Sequence, residues 1–128
     1  MGKAEIKRQG EKVAILAFGT MVYPALAAAE ELNATVVNMR FVKPLDTDVI
    51  DQLLNEHDVI VTIEENAIKG GAGSGINEYL HSIKNNTPVI NLGLPDKFLD
   101  HGNHQQMLSA CGLDTQGIID TVKTHFQA

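Results

Sequence analysis

The sequence predicts an α/β fold of three layers, α/β/α, around a mostly parallel five-stranded sheet whose first short strand is antiparallel. Four runs carry most of that prediction: Val13-Ala-Ile-Leu-Ala-Phe, Ala34-Thr-Val-Val-Asn-Met, His57-Asp-Val-Ile-Val-Thr-Ile and Val89-Ile-Asn-Leu-Gly. Each is short, mostly apolar and lacks the in-and-out alternation of a half-exposed strand, which marks strands buried on both faces. Segments of helical spacing separate the runs, and buried strands joined by helical crossovers lie parallel in a covered sheet. The remaining strand, Ala4 to Lys7, is short, and only the turn-forming Arg8-Gln-Gly-Glu-Lys divides it from the next run. That spacing predicts an opening hairpin.

The elements follow in order. After Gly19-Thr20 a helix is expected from Tyr23 to Leu32, with Pro24 allowed in its first turn and Asn33 as its stop. Ala25, Ala27, Ala28 and Ala29 give it high helix propensity and permit close approach to a sheet. Beyond Met39 the segment Arg40 to Asp46 reads as a loop, in which Pro44 biases Lys43 towards extended geometry. Asp46 or Thr47 caps a second helix with Val49, Ile50, Leu53 and Leu54 on its apolar face. The third helix is expected from Gly75, its face made by Ile76, Tyr79, Leu80 and Ile83. Asn85-Asn-Thr-Pro88 ends it. Two further helices close the chain, Gln105 to Cys111 and one starting near Asp114 with Ile118, Ile119, Val122 and Phe126 in register.

Bulk properties narrow the function. At 128 residues with 44% hydrophobic and 20% charged content, the chain reads as one domain, 1–128, long enough to bury its own core. A formal charge of -6 argues against nucleic acid as a partner, since binding a polyanion rests on phosphate neutralisation. The basic residues from Lys3 to Lys12 are mixed with Glu5 and Glu11 and fit a solvated edge strand. Cys111 is the only cysteine, so no internal disulfide can form and a cytoplasmic location is expected. No segment approaches the roughly 20 apolar residues that span a bilayer, so no membrane partner is expected.

The chemistry concentrates where the third long run ends, in Glu64-Glu-Asn-Ala-Ile-Lys-Gly-Gly-Ala-Gly-Ser-Gly75. Carboxylates at the carboxyl end of a buried strand stand where open α/β sheets place their sites. The glycines permit positive φ or close approach to another surface. A phosphate cradle is the alternative, because glycines leading into a helix present backbone N–H groups at its positive end. Against it, no Lys-Ser/Thr pair follows, the glycine spacing is not a dinucleotide fingerprint, and two carboxylates upstream repel an anion. Adjacent Glu64 and Glu65 point to opposite faces of a strand and cannot form one acid–base pair. His101 and His104 have ligand-like spacing only in a helix, which Gly102 opposes. Arg40 fits an ion-pair partner, Cys111 a small buried hydrophobe, and Ser74 lacks the full nucleophile elbow. These residues therefore supply no catalytic, cofactor-binding or metal-binding set. Glu64, Glu65, Asn66, Gly70, Gly71 and Gly73 remain as candidate contacts to another domain or subunit.

Four blocks extend the reading: Gly10-Glu-Lys-Val-Ala-Ile-Leu, Met39-Arg-Phe-Val-Lys-Pro-Leu-Asp46, the Glu64 to Gly75 block and Leu92-Gly-Leu-Pro-Asp-Lys-Phe-Leu-Asp-His-Gly102. In order and in register, they resemble the C-terminal domain of the 1-deoxy-D-xylulose-5-phosphate synthase family, within the wider transketolase C-terminal family. The resemblance implies an enzyme that uses thiamine diphosphate and Mg2+ to decarboxylate pyruvate and join the two-carbon unit to glyceraldehyde 3-phosphate, feeding isoprenoid, thiamine and pyridoxal synthesis. It also implies that the cofactor is held by N-terminal and middle domains, the former with a Gly-Asp-Gly motif that this chain lacks. The chain would then be an inactive fragment without a cofactor of its own, closing the subunit and contributing to a homodimer. Another transketolase-family enzyme, or a stand-alone anion- or nucleotide-binding module, are the competing expectations.

Overall fold

A computed structural model of the chain describes residues 4–39, 46–67, 72–94 and 114–125. Among these the sheet has five strands: β1 (Glu5–Arg8), β2 (Val13–Ala17), β3 (Thr35–Asn38), β4 (Val59–Ala67) and β5 (Val89–Leu94). Their spatial order is β1-β3-β2-β4-β5. β1 pairs antiparallel with β3, and the β2–β3, β2–β4 and β4–β5 pairs are parallel. Helices α1 (Val22–Leu32), α2 (Thr47–Glu56), α3 (Ala72–Ser82) and α4 (Thr115–His125) cover both faces.

The period of two along each strand sorts the core into two halves. Val13, Ile15, Ala17, Val59, Val61 and Ile63 pack with Ala25, Ala28 and Ala29 of α1 and Ile118, Ile119 and Val122 of α4. Ala14, Leu16 and Ile60 pack on the opposite face with Val49, Ile50 and Leu53 of α2 and Ile76 and Leu80 of α3. This makes the three layers expected from the uninterrupted apolar runs. The alanines of α1 bring its backbone close to the sheet, and Lys123 of α4 reaches Glu31 of α1 at 2.8 Å across the surface.

Helix ends follow local chemistry. The side chain of Asp46 accepts from the Val49 N–H at 3.2 Å and caps α2, while its other oxygen accepts from the Ala4 N–H at 2.8 Å. Asn33 ends α1 in the left-handed conformation at φ 52, which asparagine tolerates. Helix α2 stops at His57, whose Nδ1–H donates to the Leu53 carbonyl at 2.9 Å. At the Nε2 side lies the Thr35 hydroxyl, 2.7 Å away, which also accepts from the Gly10 N–H at 2.8 Å. One threonine oxygen thus joins the helix end, β3 and the β1–β2 connection.

Two expectations are corrected here. β1 is antiparallel, but it does not form a hairpin with β2, because β3 lies between them. The connection instead crosses the amino end of β3. There the Glu11 N–H donates to the Asn33 carbonyl at 2.9 Å, and Arg8 donates to the Ala34 carbonyl at 2.8 Å. Gly10 makes the crossing possible, since a Cβ would lie 2.3 Å from the Ala34 carbonyl carbon and 2.4 Å from the Asn33 oxygen. Helix α3 begins at Ala72 rather than Gly75, so Gly73 and Gly75 are helical. The helix expected at Gln105 to Cys111, with Arg40, His101 and His104, lies outside the described residues.

Replacing Gly10 with alanine should destabilise the chain by about 2–3 kcal/mol, because the obstructing atoms are backbone and cannot rotate aside; urea denaturation measures it. Thr35→Val should cost about 2 kcal/mol by leaving the Gly10 N–H and the His57 ring without the hydroxyl. On the outer face, the Tyr79 hydroxyl donates to Asp51 at 2.6 Å, and this bond, with a smaller contribution from desolvation, holds the phenol above the ordinary tyrosine range. A raised folded-state value means that its stabilisation is complete below the ordinary tyrosine range and lost as pH rises through the folded value. A spectroscopic titration should therefore find the Tyr79 phenolate forming at lower pH in Asp51→Asn.

Candidate functional site

The chain passes from β2 through α1 to β3 on one side, and from β3 through α2 to β4 on the other. The carboxyl ends of β2 and β4 therefore flank the switch point, where open α/β sheets form a crevice. Gly19 stands at this edge at φ 67, in the left-handed region that disfavours other residues, and opens a single 3-10 turn, Gly19–Met21, leading into α1. The Phe18 N–H donates to the Ile63 carbonyl at 3.0 Å, tying the end of β2 to β4.

β4 does not stop where β2 does. Its parallel register with β2 ends at Ala17 opposite Ile63, yet the strand runs on to Ala67. Between Ile63 and Ala67 it advances four residues while β5 advances only two, from Leu92 to Leu94. Glu64, Glu65 and Asn66 thus fall in an irregular, bulged stretch. Bulges of this kind bend a strand and re-aim its side chains, and they are enriched beside functional sites.

Glu64 is turned into the chain and is 2% exposed. Its carboxylate accepts from the Gly73 N–H at 2.6 Å, in the first turn of α3. Such amides have no partner within the helix, and the helix dipole favours a negative charge there. Beneath Gly73 the Thr62 hydroxyl donates to Asn91 Oδ1 at 2.6 Å, joining β4 to β5. A Cβ at Gly73 would lie 2.8 Å from both of those oxygens. The close approach at Gly73 is made against this chain's own strands.

The candidate residues separate accordingly. Glu64 and Gly73 are brought together inside the domain. Glu65 and Asn66 lie in the bulge of β4, and Gly70 and Gly71 lie outside the described residues. Thr62 and Asn91 were not foreseen as part of this arrangement. Their signal was a polar residue in each of two otherwise apolar runs, which the register places opposite one another. Among the described residues no group of His, Cys, Asp and Glu is arranged to hold a metal ion. At the start of α3 a buried carboxylate already accepts from the Gly73 amide. Among the same residues no helix is long and apolar enough to cross a membrane.

This mixed sheet, covered on both faces and shaped at its carboxyl edge by a buried glutamate and a glycine helix, is a transketolase C-terminal fold. The chain belongs to the family described as transketolase, C-terminal domain, whose model matches residues 2–118. It is similar to the 1-deoxy-D-xylulose-5-phosphate synthases of Pseudoalteromonas translucida, at 56% identity over 96% of this chain, and of Nitrosomonas europaea, at 56% over 98%. It spans about a fifth of the length of each, 20%. Among solved structures it resembles a split-gene transketolase in an inactive beta4 tetramer, with a TM-score of 0.87 and 31% identity, covering 96% of this chain and 42% of that one.

Gly73→Ala should destabilise the chain by about 1–3 kcal/mol, because its methyl group meets Thr62 and Asn91. The penalty should shrink in an Asn91→Ala background, which clears one of the two obstructing side chains. A double-mutant cycle read by denaturant midpoints gives the coupling.

Proposed function

We propose that this chain is the C-terminal domain of a 1-deoxy-D-xylulose-5-phosphate synthase. The full-length enzyme would join pyruvate and glyceraldehyde 3-phosphate with loss of CO2, supplying isoprenoid, thiamine and pyridoxal synthesis. The observation that carries the reading is similarity along nearly the whole of this chain to part of enzymes of that name, at 56% identity over 96% of this chain and 20% of the relative. Thiamine diphosphate with Mg2+ would supply the carbanion chemistry, held by parts of the parent outside these 128 residues. The charged residues described here form no acid–base pair, nucleophile or diphosphate cradle, which favours a structural share in the enzyme.

That share is to close the subunit and to contribute to a homodimer in the cytoplasm. The bulged end of β4, with Glu65 and Asn66, is the contact, while Glu64 and Gly73 support it from within. The similar structure is of an inactive assembly of a split-gene transketolase, which favours an inactive fragment here too. A stand-alone anion-binding module is disfavoured by the carboxylate already seated on the Gly73 amide.

The test is to express the full reading frame and assay pyruvate with glyceraldehyde 3-phosphate. Formation of 1-deoxy-D-xylulose 5-phosphate and CO2 is the expected result, with no turnover by residues 1–128 alone. Ketol transfer between sugar phosphates without CO2 release would assign the parent to another transketolase-family enzyme. Combined Glu65→Ala and Asn66→Ala substitutions in the full-length protein should weaken dimer association at least about tenfold if the bulge is a contact, since a lost interfacial group of about 1.4 kcal/mol changes Kd by that factor. Analytical ultracentrifugation reads this.

A further inference from the structure

We infer that Glu64 is a positioning residue: its buried carboxylate serves as a built-in anion for the first turn of α3 and fixes where that helix starts relative to the bulge of β4. The inference rests on the proposed function only where it concerns the parent enzyme; the carboxylate's hold on α3 stands on geometry alone.

Three observations converge. The glutamate is 2% exposed, so its interactions are made inside the domain. Its carboxylate lies 2.6 Å from the Gly73 nitrogen, bridging nine positions of sequence between the end of β4 and the start of α3. A Cβ at Gly73 would lie 2.8 Å from Thr62 Oγ1 and Asn91 Oδ1, so this approach of α3 to the strands needs a glycine, and the carboxylate holds the helix start there.

The arrangement makes Glu64 the internal counterpart of an external anion. A phosphate bound at a helix start would be held by the same free amides and the same dipole. Here the strand supplies that negative group, so the helix start carries a permanent occupant and sets the orientation of the bulged edge. Glu65 and Asn66, next along the strand, inherit their placement from it. Removing the carboxylate while leaving the amide should open a small anion-accepting gap that a free carboxylate can refill.

Chemical rescue tests this directly. In the 128-residue chain, Glu64→Ala should lower Tm, and sodium formate should recover part of the loss in a saturable manner. Sodium chloride at equal ionic strength should not, and wild type should show no formate-specific shift. If Glu64→Ala does not fold, Glu64→Gln provides the measurement, since its carboxamide oxygen still accepts but without charge. The Gly73 amide should then exchange with solvent faster than in wild type by hydrogen-exchange NMR. In the full-length protein, Glu64→Ala should lose turnover that formate restores in part.

A Glu64→Ala chain with wild-type Tm, a loss that formate cannot recover, or a Gly73 amide exchanging equally in wild type and Glu64→Gln would overturn the inference. A wild-type full-length protein inactive towards pyruvate and glyceraldehyde 3-phosphate would instead overturn the proposed function, leaving the Tm and exchange measurements to decide the role of Glu64.

Discussion

The structure depends on a sheet whose central strands are covered on both faces. β2 and β4 carry α1 and α4 on one side and α2 and α3 on the other, so where the two strands pair, Val13–Ala17 with Val59–Ile63, every residue but Thr62 is apolar. Ile15, Leu16, Ile60, Val61 and Ile63 are completely removed from solvent. Burial of such a side chain is worth about 1.5–3 kcal/mol, so the pair of strands holds much of the stability of the domain. The same constraint explains the parallel arrangement, because helical crossovers are what bring cover to both faces.

Polar groups inside such a frame must be satisfied where they stand, and they mark the joints between layers. Thr35 joins the β1–β2 connection to the end of α2 through Gly10 and His57. Thr62 and Asn91 join neighbouring strands under the start of α3. Glu64 joins the end of β4 to α3 itself. None of these side chains is needed to form a strand or a helix. Each holds one element against the next, and two of the joints meet at glycines, because only a residue without a Cβ lets the backbones approach so closely.

The carboxyl edge of the sheet shows how a glutamate can take the place of a ligand at a helix start. Open α/β sheets commonly bind ligands there, and the edge has the expected parts: a switch point, a glycine-led helix and carboxylates. Here one carboxylate is turned inward onto the helix amide that a ligand would have used. The edge becomes a surface shaped from within by the Glu64 contact to α3.

Much of the fold was legible from short-range pattern. The uninterrupted runs gave β2 to β5, the alanine-rich segment gave α1, Asp46 announced the start of α2, and Asn33 the end of α1. Those signals act within a few residues, through propensity, capping and the period of side-chain burial. The resemblance of the four blocks likewise identified the family. The strand order was not legible, and the expected hairpin proved wrong, because two strands close in sequence can be parted by a third once a glycine lets the connection cross it. The inward turn of Glu64 was hidden for the same reason. Adjacent glutamates at a strand end look alike in sequence, and only the bulge against β5 and the approach of α3 at Gly73 turn Glu64 inward. The sequence by itself determined the class of fold, since hydrophobic period and local capping are written residue by residue, and its four blocks carried the resemblance to the family. The tertiary structure alone decided which polar groups meet, since that depends on backbones distant in the chain coming within hydrogen-bonding reach.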